Sequence, residues 1–279
     1  MRAADAVLRG GIEVCAPTGT VHLDPAFQGL PDTAHGGTVL AVFDALAALD
    51  APRQVHGVYR RRVPVGVPLR LRTWREDGAF RGEVADGTGT VLAEGTVVPD
   101  TAAADPEGPA SPGTGAAPLP ISSTCFACGV DNPLGLRVRL VADHATVGAT
   151  WRPPPTCATP DGRVAPVALT ALLDEAAFWL GALATGESGF TTELRVSLRG
   201  LAAFGPPLTV SGVRARVRPR ADDPRYWHTE VAVWDAAGRC VADARITFVA
   251  VRGAARRLAA WLGRVNPPDV VRRVFPAYA

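Results

Sequence analysis

Phe27-Gln28-Gly29-Leu30-Pro31-Asp32-Thr33-Ala34-His35-Gly36-Gly37 runs without a break into the apolar segment Thr38 to Leu49. A His-Gly-Gly turn at the start of a buried helix places free backbone N–H groups, and the positive end of the helix dipole, where they can polarise a carbonyl oxygen. An altered copy of the segment lies further along the chain. His35 to Asp44 is matched by Ala165 to Asp174, with small and apolar residues between the ends. Two more anchors follow in the same order: Gly66-Val67-Pro68-Leu69 matches Gly205-Pro206-Pro207-Leu208, and the run Asp86 to Glu94 matches Asp235 to Asp243. The spacing between partners widens along the chain, which puts the length differences in the connections. The chain therefore reads as two related halves.

Each half carries one long helix followed by β-like runs. In the first half, an extended segment (Ile12 to Leu23) leads to a helix from Gly36 to Leu49. Four runs follow, Val55 to Val63, Pro68 to Arg75, Ala79 to Ala85 and Thr90 to Val98. The second half has extended segments at Leu136 to Leu140 and Ala145 to Trp151, a helix from about Val167 to Ala184, and runs at Phe190 to Leu198, Pro207 to Arg218, Trp227 to Trp234 and Arg239 to Val251. Both helices are apolar nearly all round, so each must be enclosed, and an antiparallel meander wrapped around the helix is the economical way to do it. Residues 100–120 are rich in Pro, Gly, Ala and Ser and lack apolar periodicity. They predict a flexible linker between a first unit at 1–99 and a second at 121–252. A helical tail at 253–279, with Leu258, Trp261 and Leu262 on one side, is expected to pack on the second unit.

The composition narrows the function. The 279 residues are 47% hydrophobic, and a net charge of +2 with 27 interspersed acids gives no broad basic field for nucleic acid. No stretch reaches the ~18 uninterrupted apolar residues of a spanning helix, and no basic segment followed by an apolar core opens the chain, which predicts a soluble, cytoplasmic protein without membrane contact. The five cysteines are an odd number, too sparse for a disulfide scaffold, and are expected to be reduced. Cys125-Phe126-Ala127-Cys128 has zinc-knuckle spacing. No second Cys-X-X-Cys and no paired His stands near it in sequence to complete four ligands, so neither a metal nor a cofactor is expected.

Phe27-Gln28-Gly29 with His35-Gly36-Gly37 and Asp44, the segment Cys125-Phe126-Ala127-Cys128-Gly129 with Asn132-Pro133-Leu134-Gly135-Leu136, and Leu172-Leu173-Asp174-Glu175-Ala176 resemble the hotdog-fold thioesterases of the phenylacetyl-CoA thioesterase-like branch. The resemblance covers both halves apart from the linker and tail. It implies an α+β protein of two hotdog domains, each a curved antiparallel sheet wrapped around a central helix, packed as an intramolecular pseudo-dimer. It also implies hydrolysis of an acyl-CoA or acyl-carrier-protein thioester between the halves, and a homodimer of such double units as the assembly.

Two sites are then conceivable. The first joins His35, Gly36 and Gly37 to Asp174, with the first glycine's N–H holding the thioester carbonyl and Asp174 acting as base or nucleophile. The family's pattern adds Thr191 to orient water or the carboxylate, and Gln28 to line the pocket. Glu175 points about 100° from Asp174 around the helix and is expected to be solvated or ion-paired. The second site would pair Asp44 with Ala165-Pro166-Val167. Proline has no N–H to offer an oxyanion, so this site is expected to be dead, with Asp44 hydrogen-bonded across the pseudo-twofold interface. Arg60-Arg61-Arg62 and Arg195 with Arg199 read first as a solvated strand face and second as contacts for a CoA phosphate or an acidic carrier patch. Two other functions fit the same residues: a hotdog dehydratase or hydratase acting on a 3-hydroxyacyl thioester, and a non-catalytic acyl-CoA-binding protein.

Overall fold

The computed structural model describes residues 2–15, 17–100 and 106–278. The first half comprises α1 (Ala4–Gly10), β1 (Ile12–Cys15), β2 (Thr18–His22), α2 (Gly36–Ala47), β3 (Arg53–Tyr59), β4 (Pro68–Glu76), β5 (Ala79–Ala85) and β6 (Val91–Pro99). The second comprises β7 (Ala117–Pro118), β8 (Val141–Ala142), β9 (Thr146–Trp151), α3 (Pro166–Thr185), β10 (Gly189–Leu198), β11 (Leu208–Val213), β12 (Arg218–Pro219), β13 (Tyr226–Trp234) and β14 (Cys240–Ala250). Helices α4 (Ala254–Leu262) and α5 (Pro268–Val274) form the tail.

Among the described residues the strands join one antiparallel sheet in the order β1-β2-β4-β5-β6-β3-β10-β14-β13-β11-β9-β8-β7, with β12 pairing to β13. The order of the second half mirrors that of the first about the β3–β10 junction, where Val58 faces Glu193 and Arg53 faces Leu198. The two sheets are thus hydrogen-bonded into one surface. Strand β4 shows why it lies where it does: Leu69, Leu71 and Thr73 are buried while Arg70 and Arg72 between them are exposed, the two-residue alternation of a strand with one face on the core.

The sheet wraps both long helices. Helix α2 lies against β3, β5 and β6, and α3 lies against β10, β11, β13 and β14. Helix α3 is long and apolar enough to cross a membrane by length and composition, but most of it is buried inside the protein. Its apolarity is satisfied by packing. The ends of α3 follow ordinary rules: Pro166 opens it, where a missing N–H costs nothing, and Gly186 closes it in the left-handed conformation.

The two helices also touch each other. The Thr170 hydroxyl donates to the Gly37 carbonyl at 2.7 Å, and a methyl group at Gly37 would lie 2.3 Å from the Thr170 carbonyl oxygen and 2.5 Å from Ala171 Cα. Glycine at position 37 is therefore what lets the start of α2 reach the middle of α3.

Three sequence expectations need correction. Leu136 to Leu140 forms no regular strand, because its backbone is used elsewhere: Leu136 N–H donates to Phe126, Val138 N–H to Ala127, and Leu136 O accepts from the Trp151 indole. Much of the expected flexible linker is tied down. Residues 101–105 lie outside the described residues, but Glu107 pairs with Arg216, Gly113 N–H donates to Asp143 at 2.7 Å, and Ala117–Pro118 pairs with β8. Helix α1 went unannounced, being a short piece whose pattern spans less than three turns. The tail docks on the second half through Leu258, Leu262 and Phe275, with Asn266 bonded to the Ile121 backbone.

The contact at Gly37 makes a direct prediction. Gly37→Ala lowers the free energy of unfolding by about 1–3 kcal/mol, the usual cost of forcing a methyl into a filled space. Gly200→Ala, in open surroundings, stays within about 0.5 kcal/mol of the parent. Chemical denaturation of the two variants beside the parent checks both.

Candidate active site

The start of α2 meets the middle of α3 at a buried cluster of ionisable groups. His35 caps α2 from an extended backbone conformation, and its ring lies between two consecutive acids of α3. Nδ1 is 3.0 Å from Asp174 Oδ2, and Nε2 is 3.4 Å from Glu175 Oε2. All three side chains are at most 8% exposed. The Gly37 N–H has two acceptors within reach, Asp174 Oδ2 at 2.9 Å and His35 Nδ1 at 3.3 Å. The shorter, charge-assisted bond to the carboxylate dominates, and it fits a ring whose Nδ1 carries a proton. The other carboxylate oxygen, Oδ1, accepts from the Thr191 hydroxyl at 2.6 Å. Asp174 is thereby held on three sides.

These contacts set the charges. Burial acts to lower the His35 pKa, but hydrogen bonds and charge from Asp174 and Glu175 outweigh it and push it up to about 10. Burial likewise acts to raise the Asp174 carboxyl, yet the bonds from His35, Thr191 and the Gly37 N–H hold it below its ordinary value. The cluster at neutral pH is an imidazolium beside an ionised aspartate. A ring in that state donates two N–H groups and has no lone pair to take a proton.

Gly36 completes the arrangement. A methyl there would lie 2.7 Å from Asp174 Oδ2, so the carboxylate sits against the turn only because the residue is glycine. The Gly36 carbonyl accepts from Tyr59 OH at 2.6 Å, while its N–H has no hydrogen-bond partner among the described residues. Burial, and then the charge of Asp174, raise the Tyr59 phenol well above its ordinary value and keep it a donor.

A cavity of about 370 Å³ opens onto these groups. His35, Gly36, Tyr59, Asp174, Glu175 and Thr191 line its polar end. Val39, Phe178, Trp179, Phe190, Leu258, Trp261 and Leu262 supply apolar walls, and Arg60, Arg61 and Arg62 also line it. Arg60 is held by Glu94 at 2.7 and 2.9 Å, Arg62 lies 4.6 Å over the Phe190 ring, and Arg61 has no ion-pair partner among the described residues. Arg195 pairs with Glu193 on its own strand, and Arg199, just after β10, pairs with Asp243 of β14.

The structure thus brings His35, Gly36, Gly37, Asp174, Glu175 and Thr191 together. Of the two expected states, solvated or ion-paired, Glu175 takes the second and is buried: Oε1 accepts from the Trp179 indole at 3.0 Å, and Oε2 faces His35 and the Cys125 thiol. Gln28 does not line the cavity. Its side chain accepts from Asp32 N–H within its own loop, and its carbonyl accepts from Phe126 N–H at 2.7 Å. That backbone bond, the edge-on contact of Phe27 with Phe126, and the Asn132 amide bonded to Ala26 and Thr124 dock the Cys125–Leu136 loop onto the first half. Trp179, Tyr59 and α4 were missed as site components, because nothing local in their sequence marks the partner they meet.

The counterpart carboxylate is treated differently. Asp44 is buried, but it is held within its own half by the Arg53 guanidinium at 2.5 and 2.7 Å and does not bond across the interface. Arg53 has its own strand position on β3, and it supplies the charge that Pro166 has no N–H to help supply.

No protein-family model matches the sequence, and no curated protein matches it. Solved structures do. A putative thioesterase II from Thermobifida fusca superimposes with a TM-score of 0.61 at 19% identity, covering 90% of this chain and 98% of that one. A protein of unknown function with the hot dog fold from Alicyclobacillus acidocaldarius matches with a TM-score of 0.59 at 14% identity, over 88% and 97% of the two chains. The dehydratase domain of PpsC from Mycobacterium tuberculosis, solved with C12:1-CoA, matches with a TM-score of 0.57 at 17% identity, over 88% and 99%. The chain has the hotdog fold, α+β, in a double arrangement of two sheet-and-helix halves.

The buried Asp44–Arg53 pair makes a second prediction. Asp44→Ala strands a buried guanidinium and costs about 3–5 kcal/mol, whereas Asp44→Leu combined with Arg53→Met recovers most of that loss. Urea unfolding of the single and double variants measures the difference.

Proposed function

We propose that this protein hydrolyses an acyl-CoA or acyl-carrier-protein thioester at the cavity between its halves. The observation that carries the reading is the juxtaposition of the unpartnered Gly36 N–H, at the start of α2, with the ionised and triply held Asp174 of α3, both lining one cavity. The N–H and the helix dipole polarise the thioester carbonyl. Water held by Asp174 and the Thr191 hydroxyl attacks the carbonyl carbon, the carbon–sulfur bond breaks, and the water proton passes through the carboxylate to the departing thiolate. His35 keeps Asp174 ionised and in place and does not itself take the proton. The apolar walls receive the acyl group, and Arg61 faces the phosphates of the CoA or carrier arm.

A dehydratase reading draws on the pairing of a His from one half with an Asp from the other, and on the likeness in fold to a dehydratase domain. Against it, a His35 held up to about 10 is a poor base for removing a proton beside a thioester. Its signature is new enoyl absorbance without thiol release.

The test is thiol release from a panel of acyl-CoAs, read with a thiol reagent. Asp174→Asn should lower kcat at least about 100-fold and Thr191→Val about tenfold, with folding intact by circular dichroism. Activity that survives Asp174→Asn overturns the mechanism. Arg61→Ala should raise KM for acyl-CoA about tenfold and leave KM for the matching acyl-pantetheine unchanged.

A further inference from the structure

The Cys-X-X-Cys turn gains in space the partners it lacks in sequence. Cys125 Sγ lies 3.8 Å from Glu175 Oε2, which lies 3.4 Å from His35 Nε2, and the ligand atoms of the three residues all lie within 4.8 Å of one another. All three residues are buried, and all three line the cavity.

Each has the outer support that metal ligands use. Asp174 receives Nδ1 of His35 at 3.0 Å, which fixes the ring and leaves Nε2 directed at the cluster. Trp179 holds Oε1 of Glu175 at 3.0 Å and leaves Oε2 facing the other two. The Ala127 N–H donates to Cys125 Sγ at 3.3 Å, and the Ser122 hydroxyl accepts from Cys125 N–H at 2.8 Å.

Two of the three ligand–ligand distances suit a small tetrahedral ion. With bonds of about 2.0–2.1 Å to nitrogen and oxygen and about 2.3 Å to sulfur, neighbouring ligands around such an ion are about 3.3–3.6 Å apart. The two measured edges are within a few tenths of an ångström of that. A mixed nitrogen, sulfur and oxygen donor set selects a borderline ion of the zinc type over magnesium or calcium.

We propose that Cys125, His35 and Glu175 form a divalent zinc-type metal site at the wall of the cavity, with its fourth position open to the cavity. Binding displaces the Cys125 thiol proton and the proton shared between His35 Nε2 and Glu175, both to solvent. The Nδ1–H bond to Asp174 is kept, so the Asp174–Gly36 arrangement survives on the other side of the ring. The ion also clamps the Cys125–Leu136 loop of the second half to the His35 turn of the first. This inference is independent of the hydrolase reading.

The test uses the full chain, stripped with a chelator and titrated with cobalt(II). One equivalent should bind, with an intense near-ultraviolet band from thiolate-to-cobalt charge transfer and the visible bands of four-coordination, and zinc should displace it. Cys125→Ser should lose the charge-transfer band and bind at least about 100-fold more weakly, and Glu175→Gln should bind at least about tenfold more weakly. Cys15→Ser, at an exposed thiol, should match the parent. Should the cluster variants fail to fold, the parent alone decides, through its cobalt spectrum and its zinc content by mass spectrometry after desalting. A parent that holds less than about a tenth of an equivalent of either metal, or a folded Cys125→Ser that keeps the charge-transfer band, overturns the proposal. None of these readouts depends on turnover, so a failed metal site and a failed hydrolase are told apart.

Discussion

A carboxylate in the middle of an apolar helix must be neutralised, and the way Asp174 is neutralised organises this molecule. Left unpaired at such a depth it would cost several kcal/mol. The remedy comes from the other half of the chain: the His35 ring, the Gly37 N–H and the positive end of α2 converge on one of its oxygens. That convergence needs two helices closer together than side chains normally allow, and Gly36 and Gly37 permit it. The pseudo-dimer is thus held at its centre by a polar contact, with the apolar core and the continuous sheet arranged around it.

The same problem is solved in a different way in the other half. Asp44 stands where Asp174 stands, but the turn it would face carries Pro166 and has one N–H fewer to give. Its charge is met by Arg53 from the neighbouring strand, in a two-pronged bond that uses both carboxylate oxygens. One half has its acid turned towards a cavity and an N–H donor, while the other has its acid held by a guanidinium. The two halves thus differ at corresponding positions, in a frame whose strand order is nearly symmetric.

Much of this was legible in residue order. The His-Gly-Gly turn and the altered second copy of its helix pointed to two halves with wrapped helices, and the resemblance to the hotdog thioesterases implied the pairing of His35, Gly36 and Gly37 with Asp174, which meet in the structure. Thr191 fell at the head of its strand as the pattern implied. What escaped was set by contacts distant in the chain. Glu175 read as solvated or ion-paired because a helical wheel puts it about 100° from Asp174; it is ion-paired and buried, because the Cys125 loop and His35 meet it from elements that the wheel cannot show. Gln28 looked like a pocket residue, but its loop is folded back on Asp32. Cys125 seemed short of ligands because the neighbours that matter, His35 and Glu175, belong to other elements. The segment after position 105 read as linker from its composition, and it is hydrogen-bonded along the sheet edge because Asp143 and β8 offer partners that composition cannot reveal.

The central claim is that one reaction centre is assembled from the turn of the first half and the helix acid of the second. The most direct measurement is a crystal structure with a thioether analogue of an acyl-CoA that keeps the carbonyl and cannot be hydrolysed. The carbonyl oxygen is expected within hydrogen-bond distance of Gly36 N, the carbonyl carbon facing Asp174 and Thr191, and the acyl chain between Phe178 and Trp261. An analogue seated instead against Asp44 and Pro166, or bound in the cavity with its carbonyl turned away from Gly36, would contradict it.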